Sequence, residues 1–189
     1  MEKTLKKIIN ILEKTEGIKA YALIGGLALG GWISPRATKD IDILVDLSDT
    51  SYSIIEKGIF KRLRDGGFKG SLETGGHEDD IKFCIKSVSS EGIPVDIIFV
   101  DKKWEEDIVE GGMVVEVLKG VSLSVVRPEG LIVLKLKAGS FQDVADASRL
   151  LTEAEYDLQK LQTLAKKARV DKRLERMIKR LGLLKEDHL

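Results

Sequence analysis

The chain has 189 residues, 43% hydrophobic and 33% charged, and a formal net charge of +0. That length supports one good core, or one domain with an appendage, and the composition argues against a disordered chain. No apolar run approaches the ~18 residues of a membrane helix, and a single cysteine, Cys84, excludes an internal disulfide or a Cys-rich zinc site.

The N-terminal segment, residues 2–15, places Ile8, Ile9, Ile11 and Leu12 at helical spacing. It is charged throughout, so it reads as an amphipathic helix rather than a signal peptide, and a cytoplasmic protein is expected. "KAYALIGG" (19–26) reads as a strand ending in a glycine pair, and residues 27–33 as a short helix after that turn. "DIDILVD" (40–46) alternates as a strand does. Residues 50–65 read as a helix closed by Gly66 and Gly67. "IKFCIKSV" (81–88) and "IPVDIIFV" (93–100) are strand-like, 102–110 a short helix, and 112–126 one or two strands. From Pro128 the pattern turns helical. "PEGLIVLKLKAG" starts on Pro and Glu and stops at Gly139, and three further helical stretches follow. The expected fold class is therefore α/β (α+β): an α/β core over 1–126 and a helical subdomain over 127–189.

Within that frame, the acidic strand poses a chemical problem. Residues two apart in a strand share a face, so Asp40 and Asp42 point together, away from Ile41, Ile43 and Val45. On the later strand, Asp96 opposes the apolar face of Ile93, Val95, Ile97 and Phe99. If the two strands are neighbours, three carboxylates meet and repel. A divalent cation relieves that repulsion, and an oxygen-only donor set favours Mg²⁺ or Mn²⁺. The alternative is a row of solvent-facing residues on a one-sided sheet. The Gly25–Gly26 turn adds a place where backbone amides can approach a phosphate. It is not a Walker loop, since no Gly-Lys-Ser/Thr follows.

Taken together, "IGG", then "DID", then "VDIIF" resembles the DNA polymerase β-like nucleotidyltransferase superfamily. "GGLALGGWISPRATKDIDILV" and "RPEGLIVLKLKAGSFQDVADASRLL" resemble its abortive-infection (AbiEii-like) toxin branch, over residues 19–151. The resemblance implies a nucleotidyltransferase-type mixed sheet flanked by helices, followed by a C-terminal helical bundle. It implies that Gly25 and Gly26 hold an NTP triphosphate, that Asp40, Asp42 and Asp96 bind Mg²⁺, and that Asp96 helps activate an acceptor hydroxyl. Arg36 and Thr38 would lie near the phosphates, Lys135 would neutralise phosphate charge, and Asp143 and Asp146 match the acidic pair that follows. Gly26 departs from the pattern, because many relatives carry Ser there. The acceptor would be tRNA or a protein side chain, with an antitoxin as a possible partner. A small-molecule (antibiotic-type) transferase and a non-catalytic nucleotide-binding regulator remain open alternatives.

Lys135 also stands out without the resemblance, because its helix is apolar around most of its circumference. It either snorkels or finds a partner. Asp146, in turn, pairs either with Arg149 or with Lys135. His77 and His188 are too far apart in the chain to suggest a metal site, and Cys84, Trp32 and Trp104 read as packing residues. Residues 166–180 hold eight basic residues against two acidic ones, either a solvated helix face or a surface for RNA. Asn10 is the sole asparagine in a charge-rich chain, which leans towards a thermophile.

Overall fold

A computed structural model describes residues 1–76 and 81–183. His77 and His188, expected at the surface, lie outside the described residues. The chain divides into two compact units, Met1–Gly31 with Pro35–Val126, and Trp32–Ser34 with Arg127 onward.

The first unit is built on a mixed sheet. Among the described residues its strands are β1 (Ile18–Ile24), β2 (Ile41–Leu47), β3 (Lys69–Thr74), β4 (Phe83–Val88), β5 (Pro94–Phe99), β6 (Met113–Leu118) and β7 (Val121–Val125). Their order is β3-β4-β5-β2-β1-β7-β6. β2 runs parallel to β5 and antiparallel to β1, and β1 runs parallel to β7. Helix α1 (Glu2–Glu13) buries Leu5, Ile8, Ile11 and Leu12, as its apolar stripe requires. α2 (Gly25–Leu29) follows β1 directly. The helix expected over 50–65 is three consecutive pieces: α3 (Tyr52–Ile55), a π-helical turn (Glu56–Phe60) and α4 (Lys61–Asp65). α5 (Lys103–Glu110) buries Trp104, Ile108 and Val109.

Two strand expectations shift. β2 starts at Ile41, leaving Asp40 exposed just before the ladder, where an aspartate is better tolerated than inside it. β3 was not expected at all. It is an edge strand paired only with β4, its residues are almost all exposed, and so its sequence carries no apolar alternation.

The second unit is helical: α6 (Pro128–Ala138), α7 (Phe141–Glu153), α8 (Leu158–Lys167) and α9 (Asp171–Arg180). Pro128 opens α6, and Gly139 closes it in the left-handed conformation, φ 72°. Ser140 caps α7 reciprocally with Asp143: its Oγ accepts from the Asp143 amide at 3.1 Å and its own amide donates to Oδ2 at 3.2 Å. α6 packs against α7 and α8, and α8 against α9. Residues 154–157 stay out of helix, and α8 starts only where Asp157 caps the Lys160 amide at 3.0 Å.

Candidate active site

The acidic residues gather where β2 lies beside β5. The two strands pair in register, so Asp42 is the direct neighbour of Asp96. Both are half-buried. The face they share is not a wet one. Further along β2 on the same face, Leu44 and Asp46 are each 2% exposed, and Lys19 reaches Asp46 at 3.3 Å. The one-sided, solvated sheet is therefore excluded for this stretch. On the opposite face Ile41, Ile43, Val45, Val95, Ile97 and Phe99 are buried, as the alternation predicts.

Gly25 explains why the turn after β1 is glycine. Its φ is +69°, and a Cβ built there would overlap the Asp42 carboxylate. The turn thus backs onto the acidic pair. At Gly26 the added Cβ would come within 2.8 Å of Thr38 Oγ1 and 3.1 Å of an Arg36 guanidinium nitrogen. The Thr38 hydroxyl fills the space that a side chain at this position would need. Arg36 also donates to the Ala37 carbonyl at 3.1 Å. The amides that open α2 have no acceptor within the helix, and no side chain caps them.

A cation nobody would pick from the motif flanks the pair. Lys86 on β4 is the register neighbour of Asp96 and bridges to Glu73 on β3 at 2.9 Å. Burial pushes the Asp96 carboxyl up, Lys86 pulls it down, and Asp40 and Glu73 push it up again, leaving it raised. The alternation of "FCIKSV" does place Lys86 on one face with Cys84, but its pairing partner lies outside the motif. Cys84 is buried, and its thiol is pushed up to about 12 by burial and then by Asp96, so it packs rather than reacts.

Whether these carboxylates suit a metal can be judged from the donors. Asp42 and Asp96 stand side by side, and Asp40 is close enough to act on Asp96. The set is hard oxygen only, which fits Mg²⁺. Among the described residues, however, no three such side chains converge tightly enough to enclose an ion. The expected three-way cluster is thus a register pair with Asp40 one residue outside the ladder.

The remaining expected residues belong to the second unit. Lys135, with 11% of its side chain exposed, meets Asp143 at 2.8 Å and the fully buried Asp146 at 3.1 Å. Burial alone would raise the Asp143 carboxyl, but the Lys135 and Ser140 hydrogen bonds outweigh it and hold it low.

The sequence matches no protein-family model and no curated protein. Solved structures do resemble it. A candidate nucleotidyltransferase from Thermotoga maritima superposes with a TM-score of 0.52 at 20% identity, over 80% of this chain and 92% of that one. This chain has a nucleotidyltransferase fold. Lower likenesses are a lincosamide antibiotic adenylyltransferase, bound to lincomycin (TM-score 0.49, 18% identity, 82% of this chain and 98% of that one), and the Cid1 poly(U) polymerase (0.41, 18%). The match to Cid1 covers 53% of this chain and only 30% of that one.

Proposed function

We propose that the protein is a Mg²⁺-dependent nucleotidyltransferase that moves a nucleoside monophosphate from an NTP to an acceptor hydroxyl. The observation that carries this reading is the in-register Asp42–Asp96 pair backed by the Gly25 turn. Asp40, Asp42 and Asp96 would hold the ions, which when bound supply charge neutralisation at the phosphates. The amides of the Gly25–Gly26 turn would bind the triphosphate, with Arg36 and Thr38 beside it. The acceptor oxygen attacks the α-phosphorus, the bond to the β-phosphate oxygen breaks, and pyrophosphate leaves. Asp96 would take the proton of the attacking hydroxyl.

Lys135 receives a different role from the one its motif implies. Two carboxylates already surround its ammonium, at 2.8 and 3.1 Å, an arrangement that suits holding α6 to α7 better than neutralising phosphate. An acceptor on tRNA or a protein, and an antitoxin partner, come from the resemblance to the toxin branch alone.

The test is transfer of label from each of the four α-labelled NTPs to total RNA. Asp42→Asn should abolish transfer with an unchanged circular dichroism spectrum. Full activity in that variant would sink the scheme.

A further inference from the structure

The helical unit contains a groove that this reading leaves unused. It has a volume of about 830 Å³ and lies among the end of α6, the start of α7 and one face of α9. Arg173, Arg176 and Arg180 line it at i, i+3 and i+7, on one side of α9. Among the described residues that line it, none is acidic. Phe141, at the first turn of α7, also lines it and is 100% exposed, and Val144 beside it is exposed as well. A solvated ring next to a row of guanidinium groups is costly for a folded chain and useful to a ligand with flat faces and negative charge.

The charge of the whole sequence points the same way. Residues 127–189 carry 14 Lys and Arg against 10 Asp and Glu, while residues 1–126 carry 17 against 21. The net charge of +0 hides a basic helical part and an acidic α/β part.

Several occupants fit less well. A second copy of this chain would set arginines against arginines. An acidic peptide would satisfy the guanidinium groups but bring no flat face to the ring. A duplex offers phosphates but keeps its base faces stacked. We propose that this groove binds single-stranded RNA, with phosphates on the arginines and a base stacked on Phe141. The proposal deepens the transfer reading and rests on it only in naming the strand as the acceptor. RNA is favoured over DNA because every ribose carries a hydroxyl that could accept a nucleotide.

Fluorescence anisotropy of a labelled oligouridylate, without NTP or added metal, tests the groove directly. The variants are Phe141→Ala and the double variant Arg176→Gln/Arg180→Gln, all at exposed positions, with melting curves to check the fold. Arg173 is kept, because it ties α9 to α6 through the Leu136 carbonyl at 2.7 Å, whereas Arg176 donates only within α9, to the Lys172 carbonyl at 3.1 Å. Wild-type affinity should fall linearly, on logarithmic axes, between about 50 and 200 mM salt. Phe141→Ala should weaken binding about tenfold, and the double variant should make the salt slope shallower by roughly 1.4. Wild-type affinity in both variants, no binding at about 50 mM salt, or equal affinity for duplex RNA overturns the proposal. RNA binding in a chain that transfers nothing would sink the transfer reading and leave the groove standing. Transfer to a small alcohol acceptor without RNA binding would do the reverse.

Discussion

Asp96 sits between opposing influences, and their balance makes it the most informative single residue. Burial raises its carboxyl, Lys86 lowers it, Asp40 and Glu73 raise it, and the net result is raised. A carboxyl raised on folding favours the protonated state. Its contribution to stability is therefore full below the unfolded value and lost as pH rises through the folded one. At neutral pH the ionised Asp96 works against the fold, and a bound cation would remove that penalty. Asp96→Asn should thus raise the melting temperature of metal-free protein while abolishing transfer. Mg²⁺ should raise the wild-type melting temperature by mass action and raise that of Asp96→Asn, which keeps two of the three carboxylates, by less. A variant that melts below wild type in EDTA would contradict this account. Gly25 belongs to the same balance, since only glycine lets the turn press against Asp42.

At the scale of elements, legibility follows from how many sides of an element are covered. β2 and β5 lie inside the sheet, so the alternation of Ile41, Ile43 and Val45 and of Val95, Ile97 and Phe99 betrays them, and with them the shared face of Asp42 and Asp96. β3 lies at the edge, its residues are set by solvent, and nothing in "KGSLET" marks a strand. Lys86 and Glu73 were invisible as site neighbours for the same reason, because their closeness to Asp96 depends on pairings that only the fold establishes. α6 was legible as a buried helix from its apolar circumference, yet which partner Lys135 finds was not. Pairing with both Asp143 and Asp146 joins α6 to α7. Lys135→Met leaves the fully buried Asp146 carboxylate without that partner, and should cost about 3–5 kcal/mol in a denaturant titration. Replacing Asp146 by Leu as well should recover much of that loss. Asp143 adds a pH signature. Its carboxyl is held low, so its contribution is full above the ordinary aspartate range and is lost as pH falls through the depressed value. Asp143→Asn should accordingly flatten the acid limb of the stability curve. If Lys135→Met kept wild-type stability but lost transfer, the lysine would be serving phosphate after all.

At the scale of the whole molecule, a net charge of +0 argues neither for nor against a polyanionic partner. The division of that charge is what informs: the carboxylate-rich part suits cations, and the arginine-rich part suits a polyanion. Two separate electrostatic attractions predict two separable responses. Chelating Mg²⁺ with EDTA should lower the melting temperature and stop transfer, because both depend on Asp42 and Asp96. It should not weaken binding of the labelled oligouridylate, because the arginines of α9 need no metal. Raising salt from about 50 to 200 mM should release the RNA steeply. The Mg²⁺-induced rise in melting temperature should fall much less, since partly buried carboxylates are poorly screened. Anisotropy and melting curves on the same samples, with and without EDTA, measure both responses together. RNA binding lost on chelation would mean that the strand is held through metal at the carboxylates, and the basic groove would lose its role.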